Sequence, residues 1–114
     1  MIMEYKIKSK IWIEANGQIL LGEGRVCLLK AIEETGSLNK AAKQLNMSYK
    51  KAWGLIDDVN SRAEKAVVTK NIGGKSGGGT VVTDYGKALV KTFDQINESC
   101  WKYLDKQVTA SDLG

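Results

Sequence analysis

Residues 37–59, SLNKAAKQLNMSYKKAWGLIDDV, constrain the fold of this 114-residue chain more than any other segment. Their apolar spacing predicts two short helices joined by a tight turn at Asn46 and Met47. Ser48 suits the N-cap of the second helix, because its hydroxyl can accept a hydrogen bond from an unpaired backbone N–H group of the first turn. One stripe of this helix recurs at spacings of four, three and four residues and is expected to be buried: Ala52, Ile56, Val59 and Ala63.

The side chains at the start of the second helix are expected to be exposed once this stripe is buried. They are Ser48, Tyr49, Lys50 and Lys51. This pattern is typical of a helix-turn-helix, in which the start of the second helix enters the major groove of DNA. We predict that Ser48, Tyr49 and Lys50 read base edges, since a lysine suits guanine O6 or N7.

A β-hairpin is predicted directly after these helices. Residues 67–72 and 80–82 form its strands, and the loop GGKSGGG joins them. A helix-turn-helix followed by a hairpin is a winged helix, and the glycine-rich loop would be its wing. We expect Lys70, Lys75 and Ser76, on or beside the wing, to contact the phosphate backbone or an adjacent minor groove.

The remaining patterns complete an α+β fold that is mainly helical. Residues 4–14 are β-rich, and the Asn-Gly pair that follows at positions 16 and 17 predicts the turn of an N-terminal β-hairpin. Residues 18–21 would form its return strand, and a helix with an apolar face is expected over residues 25–34. We predict one domain, residues 1–106, and a disordered or frayed tail over residues 107–114.

A long last helix is predicted over residues 85–106, capped by Thr83 or Asp84. Its apolar stripe runs for about 30 Å at 1.5 Å per residue, more than a three-helix core of this size can cover. We therefore expect its later turns to form a dimer contact; the alternative is packing on the N-terminal hairpin of the same chain. The predicted interface residues are Leu89, Phe93, Ile96, Cys100, Trp101 and Leu104.

Basic charge is concentrated around the helix-turn-helix. The chain carries +4, whereas residues 36–76 alone carry eight cations and three anions, or +5. This asymmetry favours double-stranded DNA as the partner over the alternative that the lysines only solvate exposed helices. Ser37 is expected to cap the first helix and, in a second role, to contact phosphate beside Lys40.

Composition disfavours catalysis, a metal site and a membrane segment. Histidine is absent, which removes the commonest general base and metal ligand. We find no nucleophile–base pair and no cofactor motif, so we expect no enzyme, no cofactor and no metal. No apolar run is long enough for a membrane span or a signal peptide, and we expect a cytoplasmic protein. Cys27 and Cys100 read as small apolar core or interface residues.

Three local patterns have a second interpretation. Gly74-Lys75-Ser76 resembles the end of a P-loop, but Thr69 stands where that pattern requires glycine. Asp57 and Asp58 point about 100° apart on a helix, so a solvated face is favoured over a metal site. Trp53 lies one residue off the buried stripe, where packing at the helix edge is favoured over contact with a thymine methyl group.

Two runs of the sequence resemble a known family. The runs GRVCLLKAIEETGSLNKAAKQLNMSYKKAW and GGKSGGGTVVTDYGKALVKTFDQI are similar to the N-terminal DNA-binding domain of the molybdate-responsive transcriptional regulators, ModE, over roughly residues 18–105. SYKKAW and GGKSGGG with its trailing TDYG are the most specific parts, and the helix-turn-helix also resembles that of LysR-type regulators. The resemblance implies a winged-helix dimer on a palindromic operator, with residues 48–51 at the DNA and Lys75 and Ser76 on the wing.

The chain departs from this family after its last helix. Full members carry C-terminal β-barrel domains that bind molybdate, and no sequence remains here for them. Three interpretations stay open: a short natural regulator, which the start and the SDLG tail favour, a regulator with a separate sensor protein, or part of a longer protein. Other function classes remain open. One is a winged-helix protein-interaction module; another is a small oxyanion sensor with Lys75, Ser76 and the glycine loop as an anion nest.

Overall fold

The computed structural model describes residues 3–71 and 79–114. Two antiparallel hairpins and four helices are present in this part of the chain. The architecture is a mainly helical α+β fold of the winged helix-turn-helix type, which confirms the predicted fold class. The elements are β1 (Ile13–Ala15), β2 (Gln18–Leu21), α1 (Glu23–Thr35), α2 (Leu38–Gln44), α3 (Tyr49–Arg62), β3 (Val68–Asn71), β4 (Gly79–Val82) and α4 (Asp84–Ala110).

The N-terminal hairpin has the predicted turn but a shorter first strand. Asn16 and Gly17 have φ angles of 51° and 79°, as a two-residue turn of this kind requires. The predicted strand over residues 4–14 was too long, since β1 begins only at Ile13. The register shifts between Ile13 and Glu14, and β2 ends at Leu21, so β2 offers no further partner for a longer ladder.

Hydroxyl side chains cap three of the helices. Backbone N–H groups three residues into each segment donate to these caps, which satisfies donors that a helix start leaves unpaired. The donor and acceptor pairs are Lys40 to Ser37 at 3.2 Å, Lys51 to Ser48 at 3.1 Å and Gly86 to Thr83 at 3.0 Å. The predicted caps at Ser37 and Ser48 are confirmed, and Thr83 rather than Asp84 caps α4.

Small side chains bring α2 and α3 together over the core. Ala41, Ala42 and Ala52 are at most 1% exposed, and Asn46 makes the turn between the helices with a φ of 54°. The predicted stripe of α3 is buried except for Ala63, which is half-buried and follows the last residue of the helix. The largest fully buried side chains are Phe93, Leu21, Leu28, Leu29, Ile32, Val59 and Val67.

Helix α4 packs on the domain core with its first half, and residues of the N-terminal segment lie beside part of its second half. It has 27 residues and a length of about 40 Å, and it ends at Ala110, not near residue 106 as predicted. Its buried residues, Gly86, Val90, Phe93 and Asn97, all lie in the first half. The radius of gyration is therefore 17.5 Å, whereas a compact domain of this length has about 13 Å.

Phe93 and Cys27 do not lie where the sequence analysis predicted. Phe93, predicted at a dimer interface, is 2% exposed and belongs to the core of the single chain. Its turn of α4 is the part that packs against the domain, so its ring has no outward face. Cys27, interpreted as a core or interface residue, is exposed on α1, because the buried face of that helix is formed by its neighbours Val26 and Leu28.

Candidate nucleic-acid interface

The start of α3 presents an exposed group of polar and cationic side chains. The buried residues Ala52, Ile56 and Val59 hold the opposite face of the helix against the core. Ser48, Lys50 and Lys51 are exposed in consequence, and Tyr49 has 49% of its surface open to solvent. The geometry predicted for a recognition helix is present, with hydrogen-bonding and cationic groups at its N-terminal end.

Asn60 joins α3 to the wing hairpin. Its Oδ1 accepts hydrogen bonds from the backbone N–H groups of Val67, at 2.8 Å, and Val68, at 3.0 Å. Its Nδ2 donates to the carbonyl oxygen of Val68 at 2.9 Å. Sequence reasoning missed this residue. Its signal was a polar side chain directly beside the buried stripe, where an amide needs hydrogen-bond partners.

Thr80 joins the wing to the start of α2. Its backbone N–H donates to the carbonyl oxygen of Gly36 at 3.0 Å, and its Oγ1 accepts from the N–H of Leu38 at 3.4 Å. The Thr80 side chain is buried, so both bonds are shielded from water. Together with Asn60, Thr80 fixes the hairpin against both helices of the helix-turn-helix.

A cleft of about 220 Å³ lies between α3 and the wing strands. It brings Lys70 of β3 close to α3, a proximity that the sequence did not predict, and it also contains Trp53, which is 45% exposed. Apolar and polar side chains both line this space. The lining residues are Leu38, Trp53, Ile56, Asp57, Asn60, Val68, Lys70 and Thr80.

The other predicted DNA-contacting residues fall into two groups. Ser37 and Lys40 lie at the start of α2, where Ser37 is half-buried as a cap and Lys40 is exposed. Their neighbour Leu38 lines the cleft, so this helix start adjoins the same surface. Lys75 and Ser76 of the predicted wing tip lie outside the described residues.

The two aspartates of α3 have different surroundings. Asp58 lies 3.5 Å from the guanidinium of Arg25 and 3.8 Å from that of Arg62, so its charge is partly balanced within the chain. Arg62 also donates to the carbonyl oxygen of Ile19 at 2.7 Å, which ties α3 to the N-terminal hairpin. Asp57 faces the cleft instead. Over residues 3–71 and 79–114, no cluster of acidic, cysteine or histidine side chains could hold a metal ion.

A second surface lies along the outer half of α4. Ile96 is 46% exposed, Trp101 45% and Tyr103 60%. An apolar cleft of about 500 Å³ runs beside them and includes three of the predicted interface residues, Ile96, Cys100 and Leu104. Trp101 lines a neighbouring cleft with residues of the N-terminal segment. Leu89 lies closer to the domain, where it is half-buried against the core.

No protein-family model matches the chain, but several known proteins are similar to it in sequence. It is 39% identical over 99 residues to the molybdenum transport protein ModE of Azotobacter vinelandii, covering 82% of this chain and 37% of the relative. It is 40% identical over 81 residues to the DNA-binding transcriptional dual regulator ModE of Escherichia coli K12, covering 71% and 31%. The chain is a relative of ModE. The resemblance to the N-terminal domain of ModE is thereby confirmed.

The match to ModE is partial in length. The chain spans about a third of each of these relatives, 37% of one and 31% of the other. A further relative, the molybdenum-pterin-binding protein MopB of Rhodobacter capsulatus, is 40% identical over 84 residues, again with 31% of its length matched. These ModE and Mop relatives are named as regulators, transport proteins or molybdenum-pterin-binding proteins, not as enzymes. Over the described residues, no helix is long and apolar enough to cross a bilayer.

Proposed function

We propose that the protein is a sequence-specific DNA-binding transcriptional regulator that acts as a homodimer on a palindromic operator. The observation that carries this proposal is the exposed, cationic start of α3, whose following turns share a cleft with Lys70, in a chain whose relatives include regulators named ModE. Chromosomal DNA as partner would place the protein in the cytoplasm. The residues proposed to contact DNA are Ser37, Lys40, Ser48, Tyr49, Lys50, Lys51, Lys70, Lys75 and Ser76.

The proposed contacts divide into two kinds. Lysines on the two helix starts and the wing would neutralise phosphates, which sets affinity and register but carries no sequence information. Ser48, Tyr49 and Lys50 would read base edges from the start of α3. The anchoring of the wing by Asn60 supports this division, because it holds Lys70 at a fixed place relative to the reading helix.

The outer half of α4 is the proposed dimer contact. Exposed apolar side chains that border an apolar cleft mark a protein–protein surface more often than a solvated one. Ile96, Cys100, Trp101 and Leu104 would meet their counterparts in a second copy, with Leu89 at the edge of the contact. A two-fold axis here would place two recognition helices on half-sites about one helical turn apart, roughly 34 Å.

The proposal is tested by selecting genomic fragments on the purified protein and measuring binding at two salt concentrations. We expect one enriched palindrome, bound less tightly at the higher salt because counterions are released on binding. Salt-sensitive binding with no enriched sequence would refute sequence-specific regulation. Salt-insensitive binding to a protein partner would instead favour an interaction module. A rise in the melting temperature of the protein on addition of molybdate would favour an oxyanion sensor.

A further inference from the structure

Trp53 is a large apolar side chain left open on the proposed DNA-reading face. It lies four residues after Tyr49 and four before Asp57, so the three side chains stack along one face of α3. Nearly half of Trp53, 45%, is exposed, whereas the buried face of the helix is formed by Ala52, Ile56 and Val59. It shares the cleft with Leu38 and Ile56, which limits its orientation while one side stays accessible.

The residue after Trp53 is a glycine that packing within the chain does not require. Gly54 lies in the interior of α3, where glycine is destabilising relative to alanine. A Cβ built at this position would meet nothing within 4 Å. Packing within the chain therefore does not account for a glycine here, and Gly54 differs from Gly24 in lying in the helix interior on the proposed DNA-contacting helix. A bare backbone allows another molecule to approach closely.

Charge identifies which part of a duplex would face this surface. Lys50 and Lys70 adjoin Trp53 and attract DNA, whereas Asp57, one turn further along α3, repels phosphate. This part of the helix is therefore suited to base edges and not to the phosphate backbone. A carboxylate there can accept from the cytosine N4 amino group. The apolar group that base pairs present in the major groove is the C5-methyl of thymine.

We infer that Trp53 is a specificity-determining residue whose indole contacts thymine methyl groups in the major groove. Gly54 lets the second turn of α3 sit close enough to the bases for this contact. The inference rests on the proposed DNA-binding function. It extends the surface that contacts base edges beyond the start of α3, so that this surface runs from Ser48 through Trp53 to Asp57.

The test replaces each thymine of the selected operator in turn by uracil, which removes the methyl group and nothing else. We expect wild-type affinity to fall about 3- to 10-fold at one or two positions, the loss of one buried methyl group. Trp53→Ala should lose affinity for the unmodified operator and show no further loss at those positions. Equal uracil sensitivity in wild type and Trp53→Ala, or none in wild type at any position, would overturn the inference.

The substitution Gly54→Ala provides a second test, in which thermal stability should rise while operator affinity falls. Gly54→Ala should raise the melting temperature, because alanine favours the helix, and should weaken operator binding at least about threefold by holding α3 away from the bases. Gly24→Ala in α1, where a Cβ also meets nothing within 4 Å, should bind as wild type. Unchanged operator affinity in Gly54→Ala would refute the inference that Gly54 lets α3 lie close to the bases.

These outcomes are separable from a failure of the proposed function. If the wild-type protein enriches no sequence, the regulator proposal fails before any substitution is made. If it enriches an operator that Trp53→Ala binds with wild-type affinity, the regulator proposal stands and the role of Trp53 is refuted. Loss of operator and scrambled DNA binding to the same extent would also refute a base-reading role.

Discussion

Gly86 is the position where adding a single methyl group should cost the fold most. It is buried in the first turn of α4, and its N–H donates to Thr83 Oγ1 at 3.0 Å. A Cβ there would lie 2.5 Å from the carbonyl oxygen of Val67 and 2.9 Å from the Cγ1 atoms of Val67 and Val82. The carbonyl cannot simply retreat, because it also accepts a hydrogen bond from the N–H of Thr83 at 2.9 Å.

The expected change in the free energy of unfolding of Gly86→Ala is the sum of opposing contributions. Overpacking of a core site costs about 1–3 kcal/mol, and each backbone hydrogen bond disturbed costs about 1 kcal/mol more. Alanine recovers about 1 kcal/mol over glycine in a helix. We therefore expect Gly86→Ala to lower the free energy of unfolding by about 2 kcal/mol, and the melting temperature by roughly 8–16 °C for a domain of this size.

Chemical denaturation followed by tryptophan fluorescence measures this change, with both proteins at one concentration because any dimer adds to apparent stability. Gly24→Ala is the matched control. It also lies in the first turn of a helix, where a Cβ meets nothing within 4 Å, and it should be neutral or stabilising by up to about 1 kcal/mol. A Gly86→Ala protein as stable as wild type would refute the packing argument, and so would an equal loss in Gly24→Ala.

Other substitutions test the site. Asn60→Ala removes three hydrogen bonds between α3 and the wing and should lower the free energy of unfolding by about 2–4 kcal/mol in urea titrations; a loss below about 0.5 kcal/mol would show that the wing does not depend on them. Lys50→Ala should reduce operator affinity about tenfold or more if it reads a guanine, with little change on scrambled DNA; wild-type affinity for both would remove it from the interface. Ile96→Asp should shift sedimentation from dimer to monomer, whereas Lys91→Asp, exposed earlier on α4, should not; a dimer in both would locate the contact elsewhere.

Features that depend on neighbouring residues in the sequence were predicted correctly. Ser37 and Ser48 cap their helices, and the Asn-Gly turn adopts positive φ angles, because each depends on the chemistry of a few adjacent residues. The burial of Ala52, Ile56 and Val59 followed from helical spacing alone. The exposed group at the start of α3 was the direct consequence of that burial.

Features that depend on a partner distant in sequence were missed. Residues 4–12 are β-rich but are not part of a strand, since a strand needs a hydrogen-bonding neighbour as well as propensity. Phe93 and Ile96 belong to one apolar stripe, and only the elements packed against α4 decide that the first is buried and the second exposed. The roles of Asn60 and Gly86 likewise depend on Val67, which lies seven residues from one and nineteen from the other.

The junction at Thr83 links the wing to α4 without a flexible linker. Thr83 directly follows β4, donates through its Oγ1 to the carbonyl oxygen of Ala66 at 2.7 Å, and caps the helix that begins at the next residue. The hairpin is therefore tied directly to the start of the long helix. In a dimer joined along α4, the angle at which the two helices cross would set the distance between the two wings. This crossing angle would then determine the spacing between half-sites. A substitution where the two helices cross would change which operator is preferred, even though the substituted residue does not contact DNA.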